Sequence, residues 1–362
     1  MFYAALTPLL PEYADELGLS KAGAGVLAAA YPIGLIVAGV PAGLAASWLG
    51  VKRTLIAGLG GMIVTTALFG FAHSVWLLDA ARFLQGAASS CSWTAGLAWL
   101  VADAPSDARG RLIGSAMGAA IFGAMLGPVI GGLASITSTE ATFSGVACLG
   151  LALAVWAWTT TARQEPRRQP LSFLLRALRN RRVLASAWFI ALPSAGFGIL
   201  NVLGPLRLDE LGLGAVAIGG VWLVAAGCEA AIAPLIGRVS DRRGRWVPLR
   251  AGLAGAVATF ALLPLLDARS WLFATGIVFC GIALSAFWAP AMSMASDEAE
   301  ATGLDYAFAF VVVNLAWAPA IVAGAAGGGA LADATSDTVP YLALATLGAL
   351  TLAALWRSAS SS

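Results

Sequence analysis

The chain has 362 residues, 59% of them hydrophobic and only 11% charged, far below the roughly 25% charged residues of soluble domains. Apolar runs of about 20 residues recur from end to end with short polar joints between them, which excludes a soluble globular enzyme and predicts an all-α, polytopic membrane protein. The net charge of +2 points to no class of partner, so the information lies in where the charges stand.

In chain order the apolar runs predict spans near 1–10, 22–47, 54–72, 75–102, 112–134 and 141–161, then 183–204, 215–236, 247–266, 270–295, 304–332 and 339–356. The first is short. Ten helical residues cover about 15 Å of a hydrocarbon core about 30 Å thick. The expectation is therefore twelve spans with the first truncated to about half, either because the true start codon lies upstream or because half a helix has been lost. No basic region precedes the first run, so it does not read as a signal peptide. Cys91, Cys148, Cys228 and Cys280 fall in separate spans and read as small core residues, with neither a disulfide framework nor a metal spacing. His73, the one histidine, stands in a polar turn and is expected to be solvated.

Orientation follows from lysine and arginine. Seventeen of the 21 fall in alternate joints, among them Lys52, Arg53, seven arginines between 163 and 182 and five between 238 and 250, while the other joints hold only Lys21, Arg207 and Arg269. This places the basic joints and both termini in the cytoplasm and the chain in the plasma membrane. The longest joint, 162–182, divides six spans (1–161) from six (183–362). Within it, residues 171–182 interleave leucines with arginines, either as a basic helix on the inner leaflet or as a solvated anchor.

A gapless shift of 194 residues pairs Pro11 with Pro205, Asp15 with Asp209, and Glu16-Leu17-Gly18-Leu19 with Glu210-Leu211-Gly212-Leu213. It also pairs Gly25 with Gly219, Gly43 with Gly237 and Gly50 with Gly244. Two halves of the same topology predict a parallel repeat about an axis along the membrane normal, as in transporters whose halves rock against each other.

Two stretches stand out. Residues 114–132 carry Gly114, Gly123, Gly127, Gly131 and Gly132 with Pro128 among them. Glycines four apart admit a second helix backbone at close range, and a proline without an N–H predicts a bend. This is a moving joint or a tight static contact. The eighth span ends in Gly237-Arg-Val-Ser-Asp241-Arg242-Arg243-Gly244-Arg245, and its counterpart runs from Gly43 through Ser47 and Gly50 to Lys52 and Arg53.

On these residues the chain resembles the major facilitator superfamily, whose signature joint is G-x-x-x-D-R-x-G-R-R. The resemblance implies that Asp241, Arg242 and Arg245, with Gly237 and Gly244, belong to a cytoplasmic latch between the halves. Ser47 replaces the acid in the first half, which weakens the expected latch at Gly43, Gly50, Lys52 and Arg53. The glycine and proline positions of 114–132 match the fifth-helix pattern of the drug–proton antiporter branch. Arg82-Phe-Leu-Gln85-Gly86 is similar to the arginine element of its fourth helix, and Ser89-Ser-Cys-Ser92 to vesicular amine transporters.

Charges inside spans cost about 2.5–3.5 kcal/mol on insertion scales, so each is a candidate for function. Glu229, among small residues, is a candidate proton carrier or counter-charge, or a protonated acid bonded between helices. Arg82, with Asp79 three residues earlier, is a second candidate, or the two pair near the headgroups. Arg82, Gln85, Ser89 and Ser92 recur at helical spacing and give one span a polar face. Tyr31, Trp93, Asn201, Trp288, Asn314 and Trp317 complete the polar and aromatic residues within spans. The resemblance places Trp93 and Trp288 on cavity-lining helices. Asp305 reads as a first-turn helix charge.

No phosphate loop, hydrolytic triad or metal cluster stands in the sequence. The expectation is a monomeric transporter with no cofactor beyond the proton gradient, and with neither metal nor nucleic acid as partner. By alternating access it would export a small hydrophobic or cationic organic compound in exchange for protons. Uptake or exchange of a sugar or other metabolite is the alternative within transport. A non-transporting remnant or sensor is the alternative outside it.

Overall fold

A computed structural model describes residues 2–102, 109–160, 179–301 and 306–360. Most of the basic joint 162–182, and Asp305, lie outside the described residues. The helices are α1 (Phe2–Ala5), α2 (Leu10–Leu17), α3 (Lys21–Leu49), α4 (Val51–Gly70), α5 (Val75–Ala102), α6 (Arg109–Ile136) and α7 (Thr139–Thr159). Then come α8 (Arg181–Glu210), α9 (Ala215–Arg243), α10 (Trp246–Leu262), α11 (Ser270–Ala301), α12 (Tyr306–Val322), α13 (Gly328–Ala334) and α14 (Thr338–Ser360). A wider π turn, Ala323–Gly327, joins α12 to α13. Among the described residues there is no strand, and ten helices are long and apolar enough to cross a membrane. The protein is an all-α membrane protein. α5, with Asp79, Arg82 and Gln85 in its first half, is not among the ten, and packs against α3 and α4.

Local chemistry explains the helix ends. Ser20 caps α3 by accepting from the Gly23 N–H at 3.3 Å, and Ser138 caps α7 by accepting from Ala141 at 3.1 Å. The positive-φ residues of the described chain are four glycines, Gly18, Gly50, Gly212 and Gly244. They form two pairs at the 194-residue shift, so the repeat read in the sequence is also a repeat of backbone turns that only glycine adopts without strain.

Two boundaries differ from expectation. The joint expected to begin at residue 11 is helical to Leu17, because Pro11 occupies the start of α2, where no N–H is needed, and Gly18 ends the helix. The span expected to stop at residue 204 runs through Pro205 to Glu210, since a proline within a packed membrane helix leaves its freed carbonyl to neighbouring groups. His73 is exposed, as expected, but Cys148 faces outward on α7 and is no core residue.

The arginine-rich end of the bundle carries the ends of α3, α7, α9 and α14. There Lys52 Nζ donates to the carbonyls of Trp158 (2.6 Å) and Thr160 (2.8 Å) at the end of α7. Arg250 does the same at the Leu355 carbonyl of α14 (3.3 Å), its guanidinium 5.9 Å from the Trp356 ring centre. In each half a cation thus closes the C-terminal end of the last helix, where backbone carbonyls lack partners.

Candidate functional site

α5 supplies the first half's charge. Arg82 is 2% exposed. It donates Nη1 to Gln85 Oε1 at 3.1 Å and Nη2 to the Tyr3 carbonyl at 3.4 Å, and lies 5.0 Å from the Tyr31 ring centre. Gln85, 1% exposed, passes the network on by donating Nε2 to Thr66 Oγ1 of α4 at 3.2 Å. A buried guanidinium needs partners for its donors and its charge, and here carbonyl oxygens take Nη1 and Nη2 while an aromatic face lies beside it. Asp79, one turn away, is half-buried, and its Oδ1 has no hydrogen-bond partner.

The network crosses to the second half through Tyr3. Its ring packs 5.7 Å from Tyr31 and 5.8 Å from Trp317, and its hydroxyl accepts from Asn201 Nδ2 at 3.5 Å. Asn201 Oδ1 in turn accepts from Trp222 Nε1 at 2.8 Å. Tyr31 stays within the first half and donates its hydroxyl to Ser89 at 2.7 Å.

The second half holds Glu229 on α9. A Cβ placed on Gly281 of α11 would lie 2.6 Å from Glu229 Oε1, so the carboxyl packs directly against this glycine. The corresponding crossing in the first half is of another kind. A Cβ on Gly34 would fall on the Phe83 carbonyl oxygen, and one on Gly86 on that of Tyr31, so α3 and α5 touch backbone to backbone. At the 194-residue shift these two glycines become Cys228 and Cys280, whose side chains rule out such an approach.

The end opposite the arginines is closed. A Cβ on Gly25 of α3 would strike the Ala325 carbonyl oxygen of the π turn, and one on Gly329 that of Lys21. Asp333 accepts from the N–H groups of Lys21 (3.1 Å) and Ala22 (2.8 Å), while Lys21 Nζ pairs with Asp337 at 2.7 Å and Glu210 at 3.8 Å. On the other side of the bundle a Cβ on Gly219 of α9 would come 2.8 Å from the Pro128 carbonyl of α6, and one on Gly132 3.6 Å from Val216. Toward the arginine-rich end no such contact is seen at the glycines of these helices: a Cβ added at Gly39, Gly43, Gly118, Gly227 or Gly237 would meet no described atom within 4 Å.

The remaining candidates are placed as follows. Ser92 turns to the Ala88 carbonyl and packs on Gly58, and Asn314 lines a small cleft with Gly39, Ser90 and Thr94. Trp93 is half-buried on α5, and Trp288 packs on the main apolar core. Gly114, Gly123 and Gly127 lie along α6, with Gly127 buried. Gly131 meets the Ala5 carbonyl and Pro8, so this part of the glycine ridge faces the first segment. α6 also packs along α9, the helix bearing Glu229, where Pro128 and Gly132 meet Gly219 and Val216. Those positions are about 15 Å along α9 from the carboxyl, which is turned toward α11. At the joint, Asp241, Arg242 and Gly244 are exposed, as is Arg53, and Arg245 pairs with Asp297 of α11 in its own half at 2.5 Å. Tyr3, Trp222, Gly281 and Asp333 escaped the sequence reading. Tyr3 stands in a run too short to read as a span, and the others have no local pattern that marks them.

A family model described as Major Facilitator Superfamily matches residues 1–321. The chloramphenicol resistance protein of Streptomyces lividans is 31% identical over 281 residues, covering 72% of this chain and 69% of that protein. The MFS-type transporter ppzB of Metarhizium rileyi is 36% identical over 94 residues, and the chain spans only 20% of its length. An uncharacterized MFS-type transporter of Schizosaccharomyces pombe is 36% identical over 137 residues, 36% of this chain and 31% of that protein. Among solved structures, the nucleoside transporter NupG (D323A mutant) superposes with a TM-score of 0.78 at 13% identity, over 98% of this chain and 95% of the other. The xylose transporter XylE from E. coli, in a partially occluded inward open conformation, gives 0.77 at 15% identity over 98% and 93%.

Proposed function

The chain belongs to the Major Facilitator Superfamily and is a transporter, not an enzyme, and we propose that it exports a small hydrophobic or cationic organic compound in exchange for protons. The observation that carries this is an end sealed by backbone contacts at Gly25, Gly219 and Gly329, paired with a carboxyl, Glu229, seated between α9 and α11. Seventeen lysines and arginines against three support reading the opposite, arginine-rich end as the cytoplasmic one. On that reading a state sealed at the outer end would load its substrate from the cytoplasm. Tyr3, Tyr31 and Trp317 form the aromatic roof beneath the closed end, a surface suited to flat or cationic compounds. The likeness to a chloramphenicol resistance protein supports export over uptake.

Glu229 would exchange a proton between the two states, and Arg82 would hold the roof through Tyr3. Asn201 and Asn314 are single amides, whereas sugar recognition calls for paired polar side chains. The test is transport in proteoliposomes with chloramphenicol as the first probe, with and without an imposed pH gradient. Glu229→Gln is expected to let the probe equilibrate but to abolish gradient-driven movement. Efflux by that variant that stays fully pH-dependent would overturn the coupling role.

A further inference from the structure

We infer that Tyr3 is a positioning residue for transport: it carries the state of the buried Arg82 network across to the second half through its hydroxyl. This rests on the alternating-access function proposed above. Three independent contacts converge on this one residue. Its backbone carbonyl accepts from Arg82 Nη2 at 3.4 Å, its ring lies between Tyr31 of the first half and Trp317 of the second, and its hydroxyl accepts from Asn201. Asn201 is itself held, because Trp222 donates to its Oδ1 at 2.8 Å and so fixes which end of the amide faces Tyr3.

Polar links from the first half's network to α8 and α9 therefore run through a phenol oxygen that belongs to neither. The segment bearing Tyr3 is also wedged in the seam. Ala5, two residues on, presents its carbonyl to Gly131 of α6, and Pro8 lies beside both Gly131 and Gly219. When the closed end opens, α8 and α9 move relative to α5, and the Tyr3–Asn201 bond must break along with the Lys21 and Asp333 contacts at the rim. Tyr31 is the internal contrast. It is a buried phenol beside the same arginine, but its hydroxyl bonds to Ser89 inside the first half.

The experiment compares two hydroxyl deletions. Spin labels at His73→Cys and Arg269→Cys, exposed turns at the closed end of each half, are placed in the full chain with its four native cysteines replaced. Pulsed electron resonance then gives the distance distribution in nanodiscs at acid and neutral pH. Tyr3→Phe, which keeps the ring and the carbonyl, is expected to lower the closed population about two- to tenfold, the equivalent of one net hydrogen bond. Tyr31→Phe is expected to leave it unchanged. Asn201→Leu should match Tyr3→Phe, and the double variant should go no further than either. If Tyr3→Phe leaves the distribution as in the wild type, if Tyr31→Phe shifts it equally, or if the two deletions add, Tyr3 is only a packing residue. If the wild type itself shows a single distance in every condition, alternating access is excluded, and the role of Tyr3 with it.

Discussion

The closed end has two seams that occupy equivalent places in the repeat and are built from different materials. At one, Gly25 of α3 abuts the Ala325 carbonyl; at the other, Gly219, 194 residues later, abuts the Pro128 carbonyl of α6. Around Gly25 stand Lys21, Asp333, Asp337 and Glu210 in hydrogen-bonded ion pairs. Around Gly219 stand Pro8, Gly132 and Val216, with no ion pair there among the described residues. Backbone contact at a glycine is thus the element the halves share, and charge is an addition to one of them. Close packing of small residues is what holds helices in lipid, where apolar burial gives no net drive between them. The ion pairs lie at the solvated rim, where each contributes little.

The comparison can be broken in graded steps. The largest effect is expected from Gly25→Leu and Gly219→Leu. Each drives a side chain into a backbone carbonyl, and overpacking of this kind costs about 1–3 kcal/mol. Closed-end distances should lengthen to a similar degree in both variants, with the closed population falling about tenfold. If only Gly25→Leu acts, the seams are not equivalent.

Asp333→Ala comes next. It removes two charge-assisted bonds at the N-terminus of α3, about 1–2 kcal/mol, and should loosen that seam alone. Its effect should shrink as salt is raised, while the Gly219→Leu effect should not. Lys21→Met, which removes a half-exposed ion pair, is expected to cost about 0–1 kcal/mol in thermal unfolding. The smallest is Glu12→Gln. Burial, with Glu16 nearby, pushes the Glu12 carboxyl above its ordinary range. Its charged form is therefore disfavoured in the folded protein, and stability falls as pH rises through that range. Thermal scans should show the variant slightly more stable than the wild type at neutral pH and indistinguishable from it in acid, where both side chains are uncharged.

Much of this comparison was legible before any coordinates. The spans follow from hydropathy, and the 194-residue pairing already joined Gly25 to Gly219, Gly18 to Gly212 and Gly50 to Gly244. The polar face of Arg82, Gln85 and Ser89 is a helical spacing and needs no tertiary knowledge. What could not be read were contacts set by the rotation of one helix against another. Glu229 is ringed by small residues on every side, so nothing local tells that it turns toward Gly281. Tyr3 gains its role only from Asn201, 198 residues away, and Asp333 only from the start of α3. The glycine ridge of α6 was visible, but one pattern serves two partners, since Gly131 meets Ala5 while Gly132 and Pro128 meet α9.

One disulfide tests whether these seams must part for transport. A Cβ on Gly132 would lie 3.6 Å from the Val216 Cα, within reach of a disulfide between the halves and clear of any backbone clash. Gly132→Cys with Val216→Cys, in a background without the native cysteines, is oxidised in proteoliposomes and assayed with chloramphenicol under a pH gradient. The expected result is that oxidation abolishes gradient-driven transport and reduction restores it. Transport at the full rate by the oxidised protein would contradict it, because the compound would then cross without the closed end ever opening.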